Sequence, residues 1–252
     1  MNGLGTTSSA PPPIEEQTPR WSGLEVAFML AMALPALLIA AMAVMVLTVP
    51  LPWWRAMRAA QALAVQFLFW GIWFLALYGL IRAKYGGGFW RALGWVRPPR
   101  GFGHAGGLGV AIALGVIGLG LVLRPPQIPM PLLELLKDPW SVALVGVFAV
   151  TLGPLCEELA FRGFLLPWLT RLIRPAPAII LTGALFAFLH GPEYAWSWRH
   201  VLLIALAGSA FGVVRHRTGS TAAAAVAHAT YNMVFFATLL LRLGSSGKLA
   251  AG

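Results

Sequence analysis

Gly153-Pro154-Leu155-Cys156-Glu157-Glu158-Leu159-Ala160-Phe161-Arg162-Gly163 decides how the rest of this chain is read. It sets two adjacent carboxylates and an arginine inside an apolar run. The chain has 8 acidic residues, and Glu157 and Glu158 are the two that sit deep in a hydrophobic segment. A charge at bilayer depth is expensive unless it is paired or faces a water-filled cavity, so such residues point to function. On a helix, Glu158 and Arg162 stand four residues apart with the acid first, the favourable order for an ion pair. Glu157 lies about 100° around the same helix and need not share that arginine. One acid can be held while the other stays free to react.

The surroundings of this stretch are those of a polytopic membrane protein. The chain is 59% hydrophobic and 10% charged, with a mean hydropathy of +0.78, which excludes an ordinary soluble domain. Seven apolar segments approach the ~20 residues needed to cross ~30 Å of hydrocarbon: 24–49, 60–82, 105–123, 139–173, 176–190, 199–214 and 219–241. The predicted fold class is therefore all-α, with about seven transmembrane helices (six to eight) and a polar active-site cavity between the C-terminal ones. Pro35 predicts a kink in the first helix and Pro154 a break in the fourth. The spacings Gly109/Ala113, Ala111/Gly115 and Gly208/Gly212 suit close helix packing, as do the four alanines at 222–225.

The ends and connections complete the organisation. Residues 1–21 are polar and rich in Pro, Ser and Thr, which predicts a disordered tail. They lack the layout of a removable signal, so the first apolar segment reads as an anchor. Residues 22–138 form an N-terminal membrane region with a basic connector, 139–242 the region that carries the chemistry, and 243–252 a short tail. The net charge of +10 is assigned to anionic lipid headgroups rather than nucleic acid, because the basic residues flank the spans. With the N-terminus inside, inner loops hold ten basic residues, among them Arg82, Lys84, Arg91, Arg97, Arg100 and Arg215, against seven outside. That bias predicts an N-terminus in the cytoplasm of, on composition, a bacterial inner membrane. The single cysteine, Cys156, excludes an intrachain disulfide and reads first as a buried, inert thiol.

Two further apolar segments carry polar residues in helical register. Phe186-Ala-Phe-Leu-His190 closes the fifth, and His228-Ala-Thr-Tyr-Asn232 lies within the seventh, with His228 and Asn232 on one helix face. His104, His200 and His216 stand at span ends and read as solvated.

Taken together, Glu-Glu-x-x-x-Arg, Phe-x-x-x-His and His-x-x-x-Asn, in that order over residues 140–240, resemble the CPBP family of CAAX prenyl proteases and bacteriocin-processing (Abi-type) proteins, which are intramembrane endopeptidases. The resemblance implies hydrolysis of a peptide bond in a membrane-associated protein or peptide at the bilayer. It assigns Glu157, Glu158, Arg162, His190, His228 and Asn232 as the catalytic set. It leaves the metal open: either glutamate-activated water with no cofactor, or zinc held by Glu157, His190 and His228.

The residues permit that chemistry independently. Hydrolysis needs a base for water and a donor for the developing oxyanion. Glu157 suits the first role, His228 and Asn232 the second, and His190 can orient the water. Two histidines and a carboxylate also make a plausible zinc site. Other intramembrane protease chemistries fit poorly: there is no His-Glu-x-x-His, Asp138 is the only aspartate, and Ser209 and Ser220 read as packing residues. Three readings stand beside the endopeptidase: a sorting protease or transpeptidase trimming C-terminal anchors through Cys156, a transporter, and a non-catalytic immunity or partner protein.

Overall fold

The computed structural model describes residues 18–128, 131–136 and 138–245. Among these residues the regular structure is entirely helical. Among the described residues, seven helices are long and apolar enough to cross a membrane: α1 Gly23–Thr48, α2 Arg58–Lys84, α3 Gly101–Leu123, α4 Pro139–Ile173, α5 Pro175–Tyr194, α6 Trp198–Thr218 and α7 Thr221–Arg242. The chain is thus an all-α, multi-pass integral membrane protein. Leu34, Leu38, Met42 and Met45 of α1 and Leu114, Leu121 and Val122 of α3 point outward, as lipid-facing residues do. The predicted spans agree within a few residues, and the largest differences are the earlier start of α3, at Gly101 rather than residue 105, and the extensions of α5 past residue 190 to Tyr194 and of α6 past residue 214 to Thr218.

Proline sets the irregularities. Pro35 offers no N–H to Ala31, and α1 is accordingly two helices, Gly23–Ala31 and Ala33–Thr48, hinged at Met32. In α4 the predicted break falls at Thr151 (φ −131°, ψ −82°), and Pro154 takes a first-turn position of the new helix, where no N–H is needed. That helix, Leu152–Glu158, widens into a π turn over Leu159–Leu165 and returns to α-helix at Leu166–Ile173. Irregular backbone at membrane depth is tolerated only when protein surrounds it. Here Gly153, Pro154, Glu158, Leu159 and Arg162 to Leu165 are buried.

Two packing units enclose α4. On one side α1 and α2 meet its C-terminal half through Met29, Trp73, Leu77, Phe164 and Leu166, and Trp73 Nε1 donates to the Met29 carbonyl at 2.8 Å. On the other, α3, α6 and α7 interlock through Ala105, Ala207, Phe211, Ala223, Ala224 and Ala227. Gly109 lies directly on the Ala227 carbonyl, where any Cβ would overlap it. Gly183 of α5 lies equally close to Ser209 and the Ala205 carbonyl of α6. The Gly109/Ala113 and Gly208/Gly212 spacings thus serve packing as expected, but the Ala111/Gly115 pair does not. Both of those residues face outward, because they lie on the far side of α3 from α7.

Loop contacts show the alternation of the spans. At one end, Arg171 donates to the Pro19 carbonyl at 2.6 Å. Ser220 Oγ donates to Val96 O at 2.5 Å and Thr221 Oγ1 to Leu93 O at 2.6 Å. These bonds gather the N-terminal segment, the α2–α3 connector, the end of α4 and the α6–α7 turn. At the other end, Arg199 donates to the Arg124 carbonyl at 2.8 Å. Of the predicted disordered tail, residues 1–17 lie outside the described residues. Residues 18–21 are ordered by these contacts, with Trp21 buried against Phe164 at 5.2 Å between ring centroids. Of the predicted C-terminal tail, residues 246–252 also lie outside them, while helix continues to Ser245.

The Gly109 contact yields a direct test. Gly109→Val is expected to lower stability by roughly 1–3 kcal/mol or more, since the side chain must displace α7 backbone. Gly115→Val, with nothing within 4 Å of its Cβ position, is expected to be near neutral. Unfolding midpoints in detergent compare the two.

Candidate active site

Glu158 is the centre of the polar groups inside the bundle. Its Oε1 accepts from Arg162 Nη1 at 2.7 Å and lies 3.0 Å from His228 Nδ1. Glu158 and Arg162 are both 0% exposed. The pair is the i,i+4 arrangement read from the sequence. The arginine reaches further: Nη2 donates to the Gly208 carbonyl of α6 at 2.5 Å. A Cβ at Gly208 would stand 3.2 Å from the Phe186 ring and 3.3 Å from Arg162 Nη2, so glycine there lets the guanidinium approach the backbone. Aromatic faces complete its surroundings, with Phe186, Phe161 and Phe211 centroids at 5.0, 5.6 and 5.7 Å from Cζ.

His228 joins α7 to this pair. Its ring stacks on Phe211 at 4.5 Å and 19°. Since the Glu158 carboxylate can only accept, the bond at Nδ1 assigns a proton to that nitrogen in the neutral ring and a lone pair to Nε2. Nε2 lies 3.8 Å from Glu157 Oε2. The Glu157 side chain is 23% exposed where that of Glu158 is 0%. One carboxylate is thus held by an arginine and a histidine, while its neighbour faces the histidine's free nitrogen without a fixed bond.

Two members of the predicted set take other places. His190 Nδ1 bonds the Phe186 carbonyl of its own helix at 2.8 Å, and its ring packs on Phe186 at 4.4 Å. Phe186 in turn lies 5.6 Å from His228. His190 is therefore one aromatic ring removed from the cluster, because it closes the α-helical part of α5, Pro175–His190, while His228 lies within α7. Asn232 Nδ2 donates to the Ala149 carbonyl at 2.8 Å, just before the break in α4, so its first hydrogen bond mends backbone. Glu157, His190 and His228 do not converge as a zinc set. Among the described residues, no group of three His, Cys, Asp or Glu side chains is arranged to hold a metal ion. The half-buried Cys156 lines a cleft of about 180 Å³ with Phe67, Trp70, Gly71, Phe74, Phe148 and Leu152, on the α2 side and away from both histidines.

Sequence reasoning missed several residues at the site. Arg215, counted as a loop cation, is 0% exposed within α6, and its Nε donates to the Arg162 carbonyl at 3.3 Å. Its spacing of seven from Gly208, on the same helix face, was the available signal. Phe211 looked like any core aromatic. Glu193, in the last turn of α5, lies within electrostatic range of His190 and Glu157, and its place beyond Gly191-Pro192, where the α-helix gives way to a 3-10 turn, hid it. His200 is not simply solvated but stacks on Tyr194 at 5.0 Å.

Removing Arg162 leaves Glu158 buried without its cation. Arg162→Ala is expected to cost roughly 3–5 kcal/mol and to reduce folded yield. Arg162→Lys is expected to restore only part, since one ammonium replaces a planar fork spanning Glu158 and Gly208 O. Thermal unfolding of the purified variants measures both.

Comparison with known proteins supplies one match. Residues 139–234 match the family model described as Rce1-like, Type II CAAX prenyl endopeptidase Rce1-like. No curated protein and no solved structure matches the chain. The matched region runs from the start of α4 into α7 and contains Glu157, Glu158, Arg162, His190, His228 and Asn232. In agreement with the resemblance carried by its three motifs, residues 139–234 are similar to the Rce1-like type II CAAX prenyl endopeptidases, and this similarity supports, at the family level, an intramembrane endopeptidase acting on a membrane-associated peptide.

Proposed function

We propose that this protein hydrolyses a peptide bond with a water activated by Glu157. The observation that carries the reading is the unequal use of the two glutamates. Glu158 Oε1 is shared by Arg162 Nη1 and His228 Nδ1 at 2.7 and 3.0 Å, while Glu157 Oε2 stands 3.8 Å from His228 Nε2. That separation is beyond a hydrogen bond and short enough for one water to touch both groups.

In this reading the water donates one hydrogen bond to Glu157 and the other to His228 Nε2, and its lone pair faces the scissile carbonyl carbon. Glu157 takes the first proton as the carbon–oxygen bond forms, and returns it to the amine as the carbon–nitrogen bond breaks. Glu158 acts through His228, fixing its ring orientation and tautomer. Asn232 spends one amide hydrogen on Ala149 O and offers the second to the developing oxyanion. His190, its Nδ1–H fixed on Phe186 O, meets the substrate at the outer end of α5. The aromatic wall of Phe161, Phe186 and Phe211 keeps bulk water from the buried ion pair, which strengthens each electrostatic contact inside.

The test compares membrane-protein termini released in liposomes by the wild-type protein and by Glu157→Gln. The amide keeps the shape and removes the base, so cleavage is expected to fall about 100-fold or more with an unchanged unfolding midpoint. Cleavage by Glu157→Gln at the wild-type rate would exclude Glu157 as the base. Cys156→Ala is expected to keep cleaving, because the thiol faces the α2 cleft; loss of cleavage in that variant would favour a sorting reaction through Cys156.

A further inference from the structure

Arg162 poses a backbone problem that its side chain conceals. In a regular helix its carbonyl would accept from the N–H of Leu166, but that N–H bonds Phe161 O instead, five residues back. In the wider π pattern the donor would be residue 167, which is proline and has none. The carbonyl of a central site residue is thereby denied both donors expected along its own helix. It lies within α4 and is buried by the surrounding protein, where bulk water does not replace them.

Arg215 Nε supplies the bond, at 3.3 Å. Arg215 is 0% exposed, and its surroundings are built around it. The guanidinium lies against Gly94, where a Cβ would overlap it, and Gly94 has a φ of +65°. The Gly94 carbonyl accepts from Thr221 N at 2.9 Å, and Leu93 O from Thr221 Oγ1 at 2.6 Å. Gly163, the residue after Arg162, approaches Leu93 so closely that its Cβ would stand 2.9 Å from the Leu93 carbonyl oxygen. The wide turn of α4 is therefore pressed between the α2–α3 connector and the start of α7, with Arg215 at the junction.

We infer that Arg215 is a positioning residue for the proposed reaction: it holds the π turn of α4 by its orphaned carbonyl and so aims Arg162 at Glu158. Two turns of α6 then grip Arg162 at both ends, Arg215 at the main chain and Gly208 O at Nη2. The inference rests on the reading of Glu158 and Arg162 as parts of the active site. A shift of the turn swings Arg162 off Glu158, and with it the histidine that Glu158 orients.

The test pairs Arg215→Met with Pro167→Ala, which returns an N–H five residues after Arg162. In Arg215→Met, kcat per folded molecule is expected to fall about 10- to 100-fold, the cost of a small misplacement, with KM changed by no more than about twofold. The double variant Pro167→Ala/Arg215→Met is expected to recover most of that loss. If Arg215→Met does not accumulate, the double variant is expected to restore accumulation. An unchanged kcat, or a double variant no better than Arg215→Met in either readout, overturns the inference. Alkylation of Cys156, the single thiol in the chain, reports the set of α4 without any substrate. Its rate is expected to change in Arg215→Met and return in the double variant, and no change overturns the clamp. If the wild-type protein cleaves nothing, the protease reading fails, and this alkylation pattern alone decides whether Arg215 holds the turn.

Discussion

A carboxylate buried to zero exposure, shared between an arginine and a histidine, is the constraint to which the C-terminal half of this protein answers. Glu158 Oε1 meets Arg162 Nη1 and His228 Nδ1, so α4 and α7 are fixed against each other at one atom. Arg162 also reaches the Gly208 carbonyl, which adds α6. Breaking such a group by removing one partner leaves an uncompensated charge in a low-dielectric interior. The small residues nearby follow from this demand. Gly208 admits the guanidinium, and Gly183 lets α5 approach α6 closely enough to bring Phe186 over it.

Holding two acids side by side in hydrocarbon makes them unequal. The cation and the histidine proton both go to Glu158, so Glu157 keeps partial exposure and no fixed bond. Differential environment, rather than residue type, separates the fully held acid from the partly exposed one. The aromatic rings around Arg162 and His228 exclude water and also fix the imidazole plane through the Phe211 stack.

A second demand comes from the backbone. Pro154 and Pro167 interrupt α4 on either side of the glutamates, and each interruption frees carbonyls that lipid cannot satisfy. Side chains mend them. Asn232 covers Ala149 O and Arg215 covers Arg162 O, while Thr151 donates back to Val147 O. Several polar residues in these spans are therefore occupied in backbone repair. Asn232, read from its motif as catalytic, is one of them.

The architecture was legible because each span is a local property: about 20 apolar residues suffice to cross the bilayer, and prolines mark the irregularities. Spacing within one helix was equally readable, and the Glu158–Arg162 pair, the shared face of His228 and Asn232, and the Gly109/Ala113 contact stripe all follow from 3.6 residues per turn. Relations between helices were not readable in this way. Nothing local distinguishes Gly109/Ala113, which meets α7, from Ala111/Gly115, which faces outward. Nor does spacing reveal that Asn232 bonds a carbonyl of α4, that His190 turns to its own helix, or that Arg215 is buried rather than a loop cation. The reason is physical. Periodicity records which side chains share a face, but depth and rotation are set when several helices pack at once. The backbone carbonyls that then become partners are the same at every residue and leave no mark in the sequence.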